Sequence, residues 1–132
     1  MRWILTSYKY VLDSYAWMEL FLGTSQGKKV EHLLKENTAT SVVAIAELSD
    51  KCHREQQSFE PYLEFIQKNA ALTALTVDIA REAGKVKTEL RKISKNISLA
   101  GSIHFQTAKT LGATLVTGDS DFKEVKGILF LD

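Results

Sequence analysis

Short runs of β-branched and apolar residues alternate along the chain with longer segments in which apolar residues recur every three or four positions. The short runs predict β-strands and the longer segments predict α-helices. This alternation is typical of an α/β fold in which helices cover both faces of a parallel sheet. The predicted strands are residues 8–13, 38–43, 72–75, 113–117 and 128–131, and the predicted helices are residues 14–22, 28–37, 44–56, 60–69, 77–93 and 98–111.

Local signals mark several helix ends. Ser14 and Ser98 are predicted to cap the helices that they open, and Gly112 is predicted to end the last helix. Pro61 falls in the first turn of its helix, where proline is tolerated. The clearest helical pattern is the buried face predicted for the segment 77–93, which is formed by Ile79, Ala83, Val86, Leu90 and Ile93.

The composition is that of one ordinary globular domain. The chain has 132 residues, of which 45% are hydrophobic and 25% are charged, with one proline and seven glycines. We therefore expect a single domain over residues 1–132, in which residues 1–7 form an N-terminal extension. The lone cysteine, Cys52, has no partner for an internal disulfide, which suits a reducing compartment.

Charge and hydropathy narrow the class of protein further. No run reaches the roughly 18 consecutive apolar residues of a membrane span. Lys9 and Asp13 interrupt the apolar N-terminal stretch before it attains the length of a signal sequence, so we expect a cytoplasmic protein. The net charge of +1 excludes binding of nucleic acid through bulk charge, although a local basic patch remains compatible with it.

Acidic residues follow three of the predicted strands. Asp13 closes the first strand, Glu47 lies near the start of the helix after the second, and Asp119 and Asp121 follow the fourth. The carboxyl ends of parallel strands meet at one edge of a sheet, where ligands bind in such folds. We therefore expect these four carboxylates to lie near one another.

Carboxylates held close together need a compensating charge. A pair about 4 Å apart costs on the order of 4 kcal/mol at an effective dielectric constant of about 20, unless a cation or a proton neutralises it. Hard oxygen ligands favour Mg²⁺ or Mn²⁺ over zinc. The alternative for each acid alone is a helix cap or a solvated surface group, because TGDSD is also rich in turn-forming residues.

Three segments of the chain carry motifs of a known family. They read VLDSYAW at residues 11–17, AEL at residues 46–48 and ISLAGSIHFQTAKTLGATLVTGDSDFKEV at residues 97–125. The chain resembles the PIN-domain ribonucleases, in particular the VapC-type toxins of VapBC toxin–antitoxin pairs. The resemblance covers nearly the whole chain and implies a PIN-like, Rossmann-like parallel sheet of about five strands.

The resemblance also implies a set of site residues. Asp13, Glu47 and Asp119 match the catalytic acids of the family, and Asp13, Asp119 and Asp121 match positions that hold Mg²⁺ or Mn²⁺. Metal-activated water would then attack an RNA phosphodiester.

Further implied features concern support and partners. The hydroxyls of Ser14 and Thr117 match supporting positions next to the acids. The family's partners imply an RNA substrate and a cognate antitoxin, which lays a helix across the site. A homodimer is a further expectation, and no membrane partner is expected.

One position departs from the family pattern. The family has an aspartate in the helix ahead of the last motif, as in Leu-Ala-Asp, whereas this chain has Leu99-Ala100-Gly101. Glycine at the third helical position after a Ser98 cap costs about 1 kcal/mol relative to alanine, so Gly101 is unexpected on physical grounds too. It is either a natural loss of a metal ligand or an inactivating substitution.

Lys85, Lys87, Arg91 and Lys92 belong to the most basic stretch of the chain. The functional interpretation is a rim that contacts RNA phosphates beside the acidic site. The alternative is the solvated face of an amphipathic helix.

Two aromatic residues and a histidine each have two possible roles. Tyr15 and Trp17 would stack on bases if exposed, although Trp17 fits the core better. His104 is either a ligand or base, or a residue that packs on the helix flank with one nitrogen hydrogen-bonded.

Two functions follow from these observations. The first is a metal-dependent endoribonuclease of a type II toxin–antitoxin system, inactivated or weakened by Gly101. The second is a catalytically dead PIN-like module that binds an antitoxin or another protein through an apolar region around Trp17, Leu20 and Phe21. A phosphate-transfer enzyme of the haloacid-dehalogenase type requires a second aspartate where this chain has Tyr15.

Overall fold

The computed structural model describes residues 7–132, so residues 1–6 of the predicted N-terminal extension lie outside the described residues. Within residues 7–132, no helix has the length and apolar character needed to cross a membrane. The strands are β1 (Tyr10–Leu12), β2 (Thr38–Ser41), β3 (Ala71–Thr73), β4 (Thr114–Thr117) and β5 (Leu129–Phe130). The helices are α1 (Ser14–Leu22), α2 (Ser25–Leu33), α3 (Val42–Arg54), α4 (Glu60–Asn69), α5 (Val77–Leu90) and α6 (Leu99–Leu111).

The five strands form one sheet in the order β3-β2-β1-β4-β5, and every pair is parallel. Val11 of the central strand β1 pairs with Ala39 of β2 on one side and with Leu115 of β4 on the other. The predicted α/β class with a five-stranded parallel sheet is therefore confirmed.

Successive residues of the central strands enter opposite cores. Leu12 and Val116 belong to one hydrophobic cluster, and Val11 and Leu115 belong to the other. All four side chains are at most 2% exposed. This alternation follows from the two-residue period of a strand and explains why the strands are apolar without interruption.

Residues at the carboxyl ends of two strands cap the helices that follow. Asp13 is the N-cap of α1, because its Oδ1 accepts a hydrogen bond from the backbone N–H of Ala16 at 2.9 Å. Ser41 caps α3 in the same way through the N–H of Val43. The prediction that Ser14 caps α1 is therefore wrong, and the predicted strands ending at residues 13 and 43 are shorter than expected.

The second helix begins three residues earlier than predicted. Thr24 caps it by accepting a hydrogen bond from the N–H of Gly27 at 3.0 Å. A Cβ at residue 27 would lie only 2.1 Å from the carbonyl oxygen of Glu19, so only glycine permits this close approach of α2 to α1.

The predicted buried face of the fifth helix extends too far. The helix ends at Leu90, whose carbonyl accepts hydrogen bonds from the backbone N–H groups of Ile93 and Ser94. Ile93 consequently lies in a turn and is 56% exposed, so its assignment to the buried face is wrong. Ile79, Ala83 and Leu90 are buried as predicted.

Trp17 lies in the core and does not line an open aromatic surface. Its side chain is 0% exposed, and its indole Nε1–H donates to Oγ1 of Thr40 at 3.1 Å. The Thr40 hydroxyl in turn donates to the carbonyl oxygen of Leu12 at 2.7 Å. One buried hydroxyl therefore links α1, β2 and β1 beneath the carboxyl edge of the sheet.

We predict that Thr40→Val lowers the free energy of unfolding by about 1–3 kcal/mol, because the shape is kept while a buried indole N–H loses its acceptor. Urea unfolding of Thr40→Val, Trp17→Phe and the double variant measures the coupling. Phenylalanine has no indole N–H, so the cost of Thr40→Val should be smaller in the Trp17→Phe background. An equal cost in both backgrounds would contradict the linkage.

Candidate active site

The predicted acidic residues gather around the carboxyl ends of β1 and β4. Leu12 pairs with Val116 across the two strands, and the backbone N–H of Asp13 donates to the Val116 carbonyl at 3.3 Å. Asp13 therefore sits beside Thr117, whose side chain hydrogen-bonds to the Asp13 carboxyl group. This place at the carboxyl edge of the sheet is the one expected for Asp13, and the supporting role of Thr117 stays a prediction.

Asp13 is the most buried acid of the site. Its side chain is only 5% exposed, and burial raises its pKa to about 6. The hydrogen bond from Thr117, the nearby His104 and the N–H of Ala16 oppose the rise, whereas the charge of Glu47 adds to it. Loss of hydration therefore outweighs all three favourable contacts of this carboxylate.

Asp119 and Asp121 lie in one turn after β4. The N–H of Asp119 donates to Oγ1 of Thr117 at 3.0 Å, and Oδ1 of Asp119 accepts from the N–H of Asp121, also at 3.0 Å. Asp119 thereby caps a short 3-10 helix, Ser120–Phe122. Burial raises the pKa of Asp119, and the charges of Asp121 and Glu47 raise it further. A capping role and a place in the acidic site are therefore combined in this residue.

Glu47 contacts a histidine that the sequence analysis left without a defined partner. Glu47 lies in the second turn of α3, and its Oε1 is 2.6 Å from Nε2 of His104 on α6. His104 is buried with one nitrogen hydrogen-bonded, as its packing interpretation expected. Its position three residues after Gly101, on the same helix face, was the available sequence signal for a place in the site.

A cleft of about 350 Å³ opens beside these acids. Tyr15 is 51% exposed at its wall, and the charge of Asp119, followed by burial and the charges of Asp13 and Asp121, raises its pKa. Trp17, in contrast, has no exposed surface for base stacking. The cleft is lined by Ser14, Tyr15, Met18, Glu47, Leu48, Asp50, Lys51 and Arg54.

Gly101 packs against the ring of Phe122. Ser98 caps α6 as predicted, with its Oγ accepting the Gly101 N–H at 2.9 Å. A Cβ at residue 101 would lie 2.9 Å from Cε2 of Phe122 and 3.2 Å from Oγ of Ser98. Phe122 is 1% exposed and ends the turn that carries Asp119, so a side chain at residue 101 would have to displace this ring.

The four predicted RNA-contacting cations have different surroundings. Arg91 donates from Nε to the carbonyl oxygen of Ile97 at 3.0 Å, and Lys92 forms an exposed ion pair with Glu89 at 3.2 Å. Lys85 is exposed and Lys87 is half-buried. Arg91 thus has a structural contact, in the loop before α6, that its functional interpretation did not include.

Comparison with known protein families decides between the possible α/β domains. A family model for the PIN domain matches residues 10–128, nearly the whole chain. The chain belongs to the PIN domain family. The predicted family is therefore confirmed. Among curated proteins, no sequence matches this PIN domain.

Solved structures with the same fold include several toxin–antitoxin proteins. A toxin–antitoxin complex from Klebsiella pneumoniae superimposes with a TM-score of 0.71 at 19% identity, covering 94% of this chain and 98% of that chain. VapBC2 from Rickettsia felis, bound to a DNA fragment from its promoter, gives 0.70 at 20% identity, covering 92% and 96%. VapC20 from Mycobacterium tuberculosis, a toxin that cleaves the sarcin–ricin loop, gives 0.71 at 14% identity, covering 94% and 100%.

The PIN fold implies a divalent metal ion, and the donors present here fit it only in part. Carboxylate oxygens suit Mg²⁺ or Mn²⁺. Within residues 7–132, however, no three histidine, cysteine, aspartate or glutamate side chains converge closely enough to hold an ion. Glu47 is hydrogen-bonded to His104, and residue 101 contributes no carboxylate. The residues present therefore do not form a complete metal site.

We predict that Asp13→Asn stabilises the metal-free PIN domain above pH 7. The raised pKa of Asp13 means that the folded state binds its proton more tightly than the unfolded state, where the value is about 4. The free energy of unfolding of the parent chain should thus be highest below about pH 4, fall as the pH rises to about 6, and stay lower above that pH.

The full difference between the parent and Asp13→Asn is on the order of 3 kcal/mol above pH 7, because a shift of one pKa unit corresponds to about 1.4 kcal/mol. Asparagine keeps the oxygen that caps α1. Urea unfolding in EDTA between pH 4 and pH 8 measures the effect. A constant difference across this range would refute the burial of an uncompensated charge.

Proposed function

We propose that this PIN domain is a VapC-type toxin that hydrolyses RNA phosphodiesters with Mg²⁺ or Mn²⁺, and that Gly101 weakens its hydrolysis. The observation that carries the proposal is the burial of Asp13 beside Thr117, with Glu47 and Asp119 raising the local negative charge. A protein that needed only a helix cap at this position would gain nothing from a buried carboxylate with a pKa of about 6.

The proposed roles follow the positions of the side chains. Asp13, Asp119 and Asp121 are the proposed metal ligands, and Asp13, Glu47 and Asp119 are the proposed catalytic acids. A bound divalent ion supplies an activated water and shields phosphate charge in such chemistry. Thr117 fixes Asp13 and the Asp119 backbone together, because its hydroxyl contacts both.

The proposed loss of activity rests on residue 101. A carboxylate there would lie on α6 one turn before His104, and so on the helix face that meets Glu47. Its absence leaves Asp13, Asp119 and Asp121 without a further ligand from α6. We infer that an ion binds weakly to the chain as it stands.

We predict that Gly101→Asp raises the affinity for Mn²⁺ at least tenfold relative to Gly101→Asn and restores cleavage of a structured RNA. Both variants introduce a Cβ against Phe122, so they share the cost of moving its ring and differ mainly in charge. Calorimetry with Mn²⁺ and gel analysis of the RNA are the measurements.

If both Gly101 variants fold and neither binds Mn²⁺ nor cuts RNA, the nuclease proposal fails. The alternative function then applies, in which the chain is a PIN-like module that binds a protein partner without turnover. A gain of cleavage in Gly101→Asn equal to that in Gly101→Asp would instead exclude a role for the missing carboxylate.

The second candidate function, capture of an antitoxin without turnover, is favoured by the cleft between α1 and α3. Its wall combines the half-exposed ring of Tyr15 with the side chain of Met18 and with charged groups of α3. An amphipathic antitoxin helix has the matching chemistry. Since Trp17 is buried, we propose that the exposed Tyr15 and Leu22 take its place in the apolar region that contacts the antitoxin.

The proposed phosphate contacts are Lys85, Lys87, Arg91 and Lys92. Lys85 and Lys87 are the better pair to test, because Arg91 bonds the Ile97 carbonyl and Lys92 pairs with Glu89. Each lysine that contacts a phosphate releases counterions when RNA binds. We predict that Lys85→Ala combined with Lys87→Ala makes the negative slope of log K against log salt concentration shallower, by about 0.7 per lost contact on single-stranded RNA.

The matched control for the lysine pair is Lys68→Ala on α4, which removes an exposed lysine paired with Glu64 at 3.3 Å. Filter binding of an RNA oligonucleotide at several salt concentrations gives the slopes. If the Lys85 and Lys87 double variant and the Lys68 variant have the same slope as the parent, the basic stretch is only the solvated face of α5.

A further inference from the structure

The contact between His104 and Glu47 joins two helices beside the acidic site. Nε2 of His104 lies 2.6 Å from Oε1 of Glu47, although the residues are 57 positions apart in sequence. The histidine side chain is 3% exposed, whereas that of the glutamate is 36% exposed. A buried group therefore holds the carboxylate of a residue that lines the open cleft.

The hydrogen-bonding pattern assigns the hydrogen of the imidazole. A carboxylate only accepts hydrogen bonds, so Nε2 must carry the hydrogen in this contact. Nδ1 of His104 is buried and has no partner within the described residues. A hydrogen on Nδ1 would be a buried donor without an acceptor, which is costly. The Nε2–H tautomer satisfies both observations.

The contact also restricts Glu47. Glutamate has three rotatable side-chain bonds, and a residue one-third exposed on a helix ordinarily samples several rotamers. The hydrogen bond engages Oε1 of Glu47, and Glu47 also lines the cleft. The position of Glu47 relative to Asp13 is thus set from α6 and not only from its own helix.

We propose that His104 is a positioning residue of the acidic site, which fixes Glu47 through its Nε2–H group. The proposal rests on the proposed function, in which Glu47 is a catalytic acid. Its location, one helical turn after Gly101, means that α6 still organises the site although residue 101 has no carboxylate. Removing the donor should therefore impair the acidic site by more than the loss of packing alone.

The first test is ¹⁵N NMR of the histidine side chains in the chain as it stands. The sequence has three histidines, of which His32 and His53 are exposed. The signals that disappear in the His104→Gln variant are therefore those of His104. We expect the His104 hydrogen on Nε2, with slow exchange, and faster exchange in Glu47→Ala. A hydrogen on Nδ1, or no response to Glu47→Ala, would overturn the proposal.

The second test uses the rate of RNA cleavage in the Gly101→Asp background, because Glu47 is a proposed catalytic acid. His104→Leu fills the buried site with an apolar side chain but loses the donor, and we expect the rate to fall about tenfold or more. His104→Gln retains an N–H donor, and its rate should stay within about threefold. An equal loss in both variants indicates a packing role and overturns the proposal, as does an unchanged rate in His104→Leu.

The two tests separate this proposal from the proposed function. If Gly101→Asp neither binds Mn²⁺ nor cuts RNA, the nuclease proposal fails, and the NMR result alone decides whether His104 fixes Glu47. Circular dichroism establishes that each variant is folded, and His104→Gln serves as the conservative variant if His104→Leu does not fold.

Discussion

Asp13 is held in the protein interior between the first turn of α1 and the Thr117 hydroxyl. Burying this carboxylate costs more than its hydrogen bonds return, since its pKa rises to about 6. The parallel pairing of β1 with β4 makes the arrangement unavoidable, because it places the last residues of both strands side by side at one edge. Every other feature of the acidic site is arranged around this charge.

Two helices compensate for the negative charge of Asp13 in different ways. The N-terminus of α1 supplies the Ala16 N–H and the favourable end of a helix dipole. The interior of α6 supplies His104, whose proximity lowers the pKa of Asp13 and whose Nε2 binds Glu47. These contacts moderate the repulsion among the acids without removing it, as the raised pKa of Asp119 shows. The site thus keeps an excess of negative charge that protein groups alone do not cancel.

The fold and the acids were predictable, whereas the contacts between them were not. Strand and helix periodicity locate Asp13, Glu47 and Asp119 at one sheet edge, because a parallel sheet aligns its carboxyl ends. The misplaced ends have local causes, such as the Thr24 cap that starts α2 early and the turn that exposes Ile93. The Glu47–His104 contact depends on the packing of α3 against α6. Nothing in the sequence fixes that packing at single-residue resolution, so only the spacing of His104 from Gly101 hinted at it.

The same tertiary dependence applies to Gly101. Considered along the helix alone, glycine there is a loss of about 1 kcal/mol in propensity and of one carboxylate. In the folded chain it is also the surface on which the edge of Phe122 rests, and Phe122 closes the turn that carries Asp119. A side chain at residue 101 and the close packing of Phe122 therefore compete for one space. An acid at residue 101 would be compatible with this fold only if the ring moved by a few tenths of an ångström, and such a movement would act on the turn that holds Asp119.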